Sequence, residues 1–442
     1  TLSNRGDTLY DLGRTAEALA NYDQALAINP QLMSALVNRG VLLRALGRSA
    51  EALTSYDKAL AINANDAEAW NNRGVALHDL GRETEALVSY ERALVLRPDF
   101  TDALLNHGNA LLALRRPLDA LGSYRRVLAL DSGLAAAHDN CGHALFDLGR
   151  FEEALAGYDR ALAIRPEYVE GIVHRARALA KLDRHGEAIA ELEKLRATGA
   201  DAYGLLGDLA FCKAAACDWS DNARLTVELR ARVVDGTPAI DPFMFLGFDG
   251  SAEQQLSCAQ HWLRRKKVVG IDRTWNKAEF SGDKIRIAYL SADFHRHATS
   301  HLMAELFERH DRARFEIIGV SFGPDDGSVL RSRVIKSFDR FFDVTVRTDR
   351  DVAKMLRDLK VGIAVDLKGH TTDARIGILA QRAAPVQVSY LGYPASTGAD
   401  FIDYVIGDAT VFPPDQQAHY TEKFVQLPDS YQVNDSKRAI AA

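Results

Sequence analysis

Residues 285–301 have the sequence IRIAYLSADFHRHATSH, an apolar segment of strand length followed at once by a polar, histidine-rich loop. Two later segments, 363–371 and 386–394, repeat this arrangement of an apolar run and a loop that contains glycine. In open α/β sheets, ligands bind just beyond the carboxyl ends of the strands. The three segments therefore predict a ligand site at one edge of a parallel sheet.

The region around these segments alternates between strand and helix patterns, which predicts a parallel, doubly wound sheet. Strands are predicted at 285–291, 315–322, 340–344, 361–367, 385–391, 401–407 and 424–427, and helices at 299–309, 327–337, 349–359 and 374–382. The sequence has no GxGxxG after the first strand and no GxxxxGK[ST]. It therefore supports neither the usual dinucleotide fold nor a P-loop NTPase.

The N-terminal part repeats itself every 34 residues. The repeating positions are Gly6, Gly40, Gly74, Gly108 and Gly142, and Tyr22, Tyr56, Tyr90, Tyr124 and Tyr158. Period and pattern resemble the tetratricopeptide repeat, a helix–turn–helix unit. Five clear repeats and a degenerate sixth predict an α-superhelix with a concave face over residues 1–199.

One polar column runs through these repeats, two residues before each glycine. It consists of Asn4, Asn38, Asn72, Asn106 and Asn140. An amide offers a donor and an acceptor together, so a ladder of them can pair with the backbone of an extended peptide. The alternative is that each amide is bonded within the repeats and has no ligand.

Residues 200–280 lose the period and predict a helical adaptor, with helices at 212–219, 223–234 and 252–267. The expected domains are the repeats (1–199), the adaptor (200–280), an α/β lobe (281–433) and a linker (434–442). A net charge of −6 gives no basic surface for nucleic acid. No membrane span or signal peptide is visible, and four cysteines without zinc spacing indicate a reducing cytoplasm.

Two histidines follow predicted strands and are the candidate catalytic residues. His297 lies before a helix, where a neutral imidazole could accept a proton or bond a sugar or phosphate. His370 follows Asp366, which either orients it or caps the loop, and Lys368 is an alternative partner for phosphate. A purely structural role is the alternative for both histidines. No metal site is expected, because His295, His297 and His301 lack partners at ligand spacing.

Several motifs together resemble the protein O-linked N-acetylglucosamine transferase family, in a bacterial form. They are IRIAYLSADFHRHATSHL, VSFGPDDGSVLR, DLKGHTTDAR, APVQVSYLGYPASTGADFIDYVIGD and YTEKFVQLP, after the repeats. The resemblance implies a metal-independent, inverting GT-B glycosyltransferase with two Rossmann-like lobes. It would move N-acetylglucosamine from UDP-GlcNAc to Ser or Thr hydroxyls of a polypeptide gripped by the asparagine ladder.

The resemblance also assigns roles to residues. His297 would lie near donor sugar and acceptor as a candidate general base, with His370 in the same cleft. The residues expected to contact substrate are His301, Asp366, Gly369, Thr371, Gly392, Pro394 and Thr397. The family more often has GYPGTSG where this chain has GYPASTG at 392–398, and it often has a glycine at the position of Asp373.

The C-terminal stretch 434–442 resembles the link between lobes. In this family the second lobe supplies most uridine and diphosphate contacts. We therefore expect that lobe to be missing from this chain or supplied separately, so that these residues alone hold little of the nucleotide site. Two alternatives stay open: a non-catalytic repeat adaptor that binds extended peptides, and a glycosyltransferase for another sugar or acceptor.

Overall fold

The computed structural model describes residues 1–200, 202, 204–237, 240–271, 275, 280 and 282–437. The chain divides into two compact units, Thr1–Asp183 and Arg184–Ala442, and each is described by itself. The domain boundaries predicted at 199, 280 and 433 stay predictions. Of the predicted linker, residues 438–442 lie outside the described residues.

The first unit consists of helices of 10 to 14 residues that pack as successive antiparallel pairs. They are α1 (Leu2–Asp11), α2 (Thr15–Ile28), α3 (Met33–Ala45), α4 (Ser49–Ile62), α5 (Ala67–Asp79), α6 (Glu83–Leu96), α7 (Thr101–Ala113), α8 (Pro117–Leu130), α9 (Ala135–Asp147), α10 (Phe151–Ile164) and α11 (Val169–Lys181). First helices of successive repeats also contact each other, as α1 does α3, α3 does α5, α5 does α7 and α9 does α11. The repeat architecture predicted from the 34-residue period is confirmed.

The repeated glycines and tyrosines pack against each other. Each tyrosine ring lies against the glycine of the paired helix, 16 residues earlier in the chain, and the rings are almost fully buried. A Cβ on Gly6 would lie 2.6 Å from the Tyr22 ring, and the other four glycines of the column are equally close to theirs. Real Cβ atoms do not approach this closely, so the helix pair requires glycine at this position.

This contact yields a stability prediction for Gly108→Ala. The new methyl group would meet the Tyr124 ring under 3.0 Å, and overpacking of this kind costs about 1–3 kcal/mol. The control is Gly122→Ala in α8, where no atom lies within 4 Å and alanine should add about 0.4–1 kcal/mol. Urea unfolding followed by circular dichroism measures both variants. If both variants changed the free energy of unfolding equally, the Tyr124 ring would not be what requires glycine at position 108.

The second unit begins with helices α12 (His185–Ala197), α13 (Leu205–Ala215), α14 (Asn222–Val234), α15 (Pro242–Phe245) and α16 (Ala252–Arg265). The prediction of a helix at 212–219 was wrong in its start and end. Helix α13 starts earlier and ends at Ala215, because Cys217 has a left-handed backbone conformation with φ of 54°. Leu263 of α16 belongs to the same core as the sheet.

A seven-stranded sheet follows, with every neighbouring pair parallel and the order β3-β2-β1-β4-β5-β6-β7. Its strands are β1 (Ile285–Ser291), β2 (Phe315–Ser321), β3 (Arg340–Asp343), β4 (Ile363–Asp366), β5 (Val386–Tyr390), β6 (Tyr404–Gly407) and β7 (Lys423–Gln426). The connections contain α17 (Ala298–Arg309), α18 (Val329–Lys336), α19 (Asp349–Asp358), α20 (Gly377–Ala380) and a 3₁₀-helix (Pro414–His419). The predicted Rossmann-like sheet is confirmed.

The two faces of the sheet carry separate apolar cores. Along β1, Ala288 and Leu290 enter one core, and Ile287 and Tyr289 enter the other. A strand buried on both faces is expected to be apolar throughout rather than alternating. The helix predicted at 374–382 is only one turn long, and residues with left-handed backbone lie on both sides of it, at Asp373 and Arg382.

Candidate active site

The strand order places two of the predicted loops side by side. After β1, the chain adds β2 and then β3 on one side of β1. The next strand, β4, pairs with the other side of β1. Such a reversal leaves a crevice at the carboxyl ends of the two strands, where ligands bind in this class of sheet. The loop after β1 carries His297, and the loop after β4 carries Gly369, His370 and Thr371.

A buried ion pair joins the two loops. The Lys368 ammonium lies 2.8 Å from both carboxylate oxygens of Asp293, and the two residues are only 5% and 6% exposed. The hydroxyl of Thr299 donates to the same carboxylate at 3.3 Å, and that of Ser300 donates to the Asp293 backbone carbonyl. Lys368 is therefore engaged inside the protein, which does not favour the alternative that it binds phosphate.

His297 is the residue that precedes α17 and caps it. Its Nδ1 accepts a hydrogen bond from the backbone N–H of Thr299 at 3.2 Å, the role that short polar side chains usually have at a helix start. The side chain is 43% exposed, so the imidazole is accessible from the crevice. Partial burial lowers the pKa of His297, with a further lowering from Lys368 and an opposing effect of Asp293. The neutral form is thus favoured, as the sequence predicted.

Asp366, at the end of β4, caps the second loop. Its two carboxylate oxygens accept hydrogen bonds from the backbone N–H groups of Lys368 at 3.1 Å and Gly369 at 2.9 Å. Complete burial raises its pKa to about 6. Thr371 closes the same turn by donating to the Lys368 carbonyl. Of the two roles considered for Asp366, the structure shows loop capping.

His370 is buried in an aromatic pocket. Its Nε2 donates to the Thr397 carbonyl at 2.7 Å, and its ring packs edge-on against Trp262 and Tyr393, with ring centroids 4.9 and 5.1 Å away. Burial lowers its pKa to about 4, so the imidazole is neutral at physiological pH. In this conformation His370 holds the 392–398 loop, and a catalytic role for it stays a prediction.

The 392–398 loop is built around a carboxylate that the sequence analysis did not single out. Glu422 is fully buried and accepts hydrogen bonds from the Thr397 N–H at 2.7 Å, the Thr397 hydroxyl and the Ser396 hydroxyl at 2.7 Å. A Cβ on Gly392 would clash with the Leu367 carbonyl, which brings this loop against the end of β4. Pro394 is exposed at the rim.

Sequence reasoning thus missed three residues that shape the crevice: Asp293, Glu422 and Trp262. Asp293 and Glu422 stand inside the motifs that carried the family resemblance, which was the available signal. Trp262 had no such signal in the sequence, because it lies in α16, far from those motifs. His301 lies one turn into α17 and is half-buried. Its substrate contacts, like those of Gly369, Thr371, Gly392, Pro394 and Thr397, stay predictions.

In the first unit, the predicted asparagine ladder lies on the first helices of the repeats, and several of its amides are held by the preceding repeat. Asn38 donates to Asp7 at 2.7 Å, Asn106 to Asn71 at 3.0 Å and Asn140 to Asn109 at 3.5 Å. Asn4 instead accepts from Thr1 at the chain start. The amides of Asn38, Asn106 and Asn140 each use one N–H in these bonds. Within the described residues their oxygens accept no hydrogen bond.

Two kinds of feature are absent from the described residues. No group of three or more His, Cys, Asp or Glu side chains among them is arranged to hold a metal ion. Within the same residues, no helix is both long and apolar enough to cross a membrane. Metal independence and a cytoplasmic location stay predictions.

Comparison with known families finds matches in two parts of the chain. Residues 255–441 match glycosyl transferase family 41. Tetratricopeptide repeats match at residues 6–47, 40–81 and 142–183, and at 67–100 and 84–135. Helix α16 thus falls largely inside the family 41 region, in agreement with its packing against the sheet.

Curated relatives cover parts of the chain. The probable UDP-N-acetylglucosamine–peptide N-acetylglucosaminyltransferase SEC of Arabidopsis thaliana is 31% identical over 238 residues, 50% of this chain and 24% of that protein. The UDP-N-acetylglucosamine–peptide N-acetylglucosaminyltransferase of Caenorhabditis elegans is 35% identical over 156 residues, 35% of this chain and 14% of that protein. This chain therefore spans a quarter or less of the length of either relative.

Among solved structures, an O-GlcNAc transferase mutant from Thermobaculum terrenum is similar to this chain. It is 23% identical, has a TM-score of 0.39, and the alignment covers 84% of this chain and 58% of that one.

The chain thus combines tetratricopeptide repeats with a region that matches a glycosyltransferase family. These matches agree with the resemblance to the protein O-linked N-acetylglucosamine transferase family that the sequence motifs indicated.

The burial of His370 predicts a pH-dependent loss of stability. Because its pKa is lowered on folding, from 6.5 to about 4, its contribution is present above pH 6.5 and is lost as the pH falls toward 4. At about 1.4 kcal/mol per pKa unit, acidification from pH 7 to 4.5 should cost wild type about 2–3 kcal/mol more than His370→Phe, which does not titrate there.

Urea unfolding of both proteins at the two pH values measures this difference. The raised pKa of Asp366 changes stability with pH in the opposite direction. Because Asp366 is present in both proteins, its contribution cancels in the difference between them. Equal losses in the two proteins would show that His370 is not buried in its neutral form.

Proposed function

We propose that this chain is the repeat unit and acceptor-side lobe of a protein O-GlcNAc transferase of the GT-B type. The enzyme would transfer N-acetylglucosamine from UDP-GlcNAc to Ser or Thr hydroxyls of an extended polypeptide, with inversion, without a metal ion and in the cytoplasm. The observation that carries the proposal is the crevice between β1 and β4, with the accessible, neutral His297 at the start of α17.

The chemistry of the crevice suits the acceptor side of such a reaction. An acceptor hydroxyl would attack the anomeric carbon while the UDP phosphate leaves, and stabilising that phosphate is the largest electrostatic demand. Lys368, the cation that the described crevice contributes from the loop after β4, is already bonded to Asp293. The proposal therefore assigns the phosphate contacts to the second lobe of the enzyme, and positioning of the acceptor hydroxyl to His297.

The repeat unit supports the polypeptide part of the proposal. The ladder amides from Asn4 to Asn106 stand on α1, α3, α5 and α7, each of which contacts the next, so rigid elements set their spacing. Those of Asn38 and Asn106 are held through one N–H and keep their oxygens for a ligand. An amide oxygen can accept a backbone N–H of any residue, which suits binding to acceptors of varied sequence.

The test of this function is a pair of substitutions at His297 in the enzyme that carries both lobes. His297→Ala removes the imidazole and the helix cap, whereas His297→Asn keeps a capping oxygen and removes only the imidazole. We expect both variants to lose about 100-fold or more in kcat/KM, the usual scale for a positioned proton-transferring or hydrogen-bonding group, and the Asn variant to keep wild-type thermal stability.

The matched control is His295→Ala on the same loop, whose ring centroid is 5.7 Å from that of His297. It should leave turnover within a few-fold of wild type. If His297→Asn transfers sugar at the wild-type rate, His297 has no role in the reaction. If wild type itself transfers no sugar but binds peptides, the repeat adaptor becomes the better description.

The ladder gives a second test. Simultaneous replacement of Asn38, Asn72 and Asn106 by alanine removes up to three hydrogen bonds of about 0.5–1.5 kcal/mol each. Peptide affinity should then fall about tenfold or more, by the same factor for peptides of unrelated sequence. Fluorescence anisotropy with labelled peptides measures it, and Asn65→Ala in an inter-repeat turn is the control. A loss confined to one peptide sequence would refute backbone recognition.

A further inference from the structure

Nδ1 of His297 lies near three groups. The Thr299 hydroxyl, 3.2 Å away, can donate to Nδ1 or accept from it, whereas the other two groups require opposite protonation states. The Thr299 backbone N–H points at it from 3.2 Å and needs an unprotonated nitrogen. The Asp293 carboxylate lies 3.6 Å away on another side and would accept a proton from it. A neutral imidazole carries one proton, so whichever group engages Nδ1 also determines whether Nε2 is a donor or an acceptor.

Lys368 decides this competition. Its ammonium lies 2.8 Å from both oxygens of Asp293, and the pair is buried, so the negative charge is balanced where water does not screen it. The Thr299 hydroxyl donates to one of those oxygens as well. The carboxylate therefore has its charge balanced and accepts three hydrogen bonds without the imidazole.

The other groups around His297 also disfavour its charged form. His295 and His301 add positive charge when protonated, and the imidazole caps the positive end of the α17 dipole. Burial and Lys368 act in the same direction and lower its pKa, while Asp293 alone opposes them. Within the described residues nothing bonds Nε2, and the exposed part of the side chain leaves room for a ligand at this nitrogen.

We propose that Lys368 is a positioning residue: by occupying both oxygens of Asp293 it holds His297 in the Nε2–H tautomer, so that the imidazole presents a hydrogen-bond donor to the crevice. Without Lys368, Asp293 would accept Nδ1–H and leave Nε2 as a proton acceptor, the arrangement in which a carboxylate orients a general base. The consequence for transfer rests on the proposed function: His297 would donate to an oxygen of acceptor or donor and would not take the acceptor's proton.

The tautomer is measured directly by NMR of this chain with ¹⁵N-labelled histidine. Long-range proton–nitrogen correlations separate the protonated from the unprotonated ring nitrogen, and His297→Asn identifies the signal by removing it. In wild type near pH 7 we expect Nε2–H as the main form. A wild-type spectrum with Nδ1–H would overturn the proposal without any variant.

Lys368→Met should invert the tautomer to Nδ1–H and move the titration midpoint of His297 to higher pH. Asp293→Asn combined with Lys368→Met removes both charges, and we expect it to restore the Nε2–H form. The control Lys354→Met affects a surface lysine that pairs with Asp358, and the signal of His297 should not change.

Lys368→Met removes the counterion of the buried Asp293 carboxylate and therefore lowers the stability of the fold. Lys368→Gln is a second variant, which keeps an N–H donor but has no charge. We expect it to shift the midpoint in the same direction. An unchanged tautomer and midpoint in either folded variant would show that the Thr299 N–H alone sets the state of His297.

Transfer assays separate this inference from the proposed function. A tautomer that inverts in Lys368→Met, while the wild-type enzyme with both lobes transfers no sugar, would support the positioning role and refute the transferase.

Discussion

The buried pair of Asp293 and Lys368 is the interaction on which the crevice depends. The two residues are 75 positions apart in the chain and meet only because β1 and β4 are neighbours in the sheet. Burying two charges is costly unless they meet with good geometry and further hydrogen bonds, and here both oxygens face one ammonium while Thr299 donates to the same carboxylate. Such a pair contributes little net stability, but it specifies how the loops after β1 and β4 lie against each other.

The crevice is supported from the other side by hydrogen bonds within and beneath the 392–398 loop. Glu422 gathers the 392–398 loop through backbone and hydroxyl donors, and His370 bonds the Thr397 carbonyl while it packs against Trp262. Loop residues that are held in this way lose little further freedom when a ligand binds, which is the physical basis of preorganisation. The repeat unit shows the same feature in a simpler form, because the contact of glycine and tyrosine sets the helix spacing that in turn sets the spacing of the ladder amides.

The sequence predicted the elements well and the directions of side chains poorly. The positions of the seven strands followed from apolar runs bounded by polar loops, and only the boundaries moved by a few residues. The placement of His297 before a helix was also correct, since capping depends on neighbours within one turn. His370 was assigned to the cleft from its motif, and nothing in the sequence indicated that its ring bonds the Thr397 carbonyl and packs against Trp262, more than 100 residues earlier in the chain.

The sequence by itself determined the repeat period, the alternation of strands and helices, and the loops that end at the sheet edge. These properties depend on residues close together in the chain, where backbone geometry links spacing to structure. Only the tertiary structure decided that Lys368 neutralises Asp293, that Asp366 caps its own loop and that Glu422 is buried beneath the 392–398 loop. Charge pairing and burial depend on which distant segments become neighbours, and no local pattern encodes that choice.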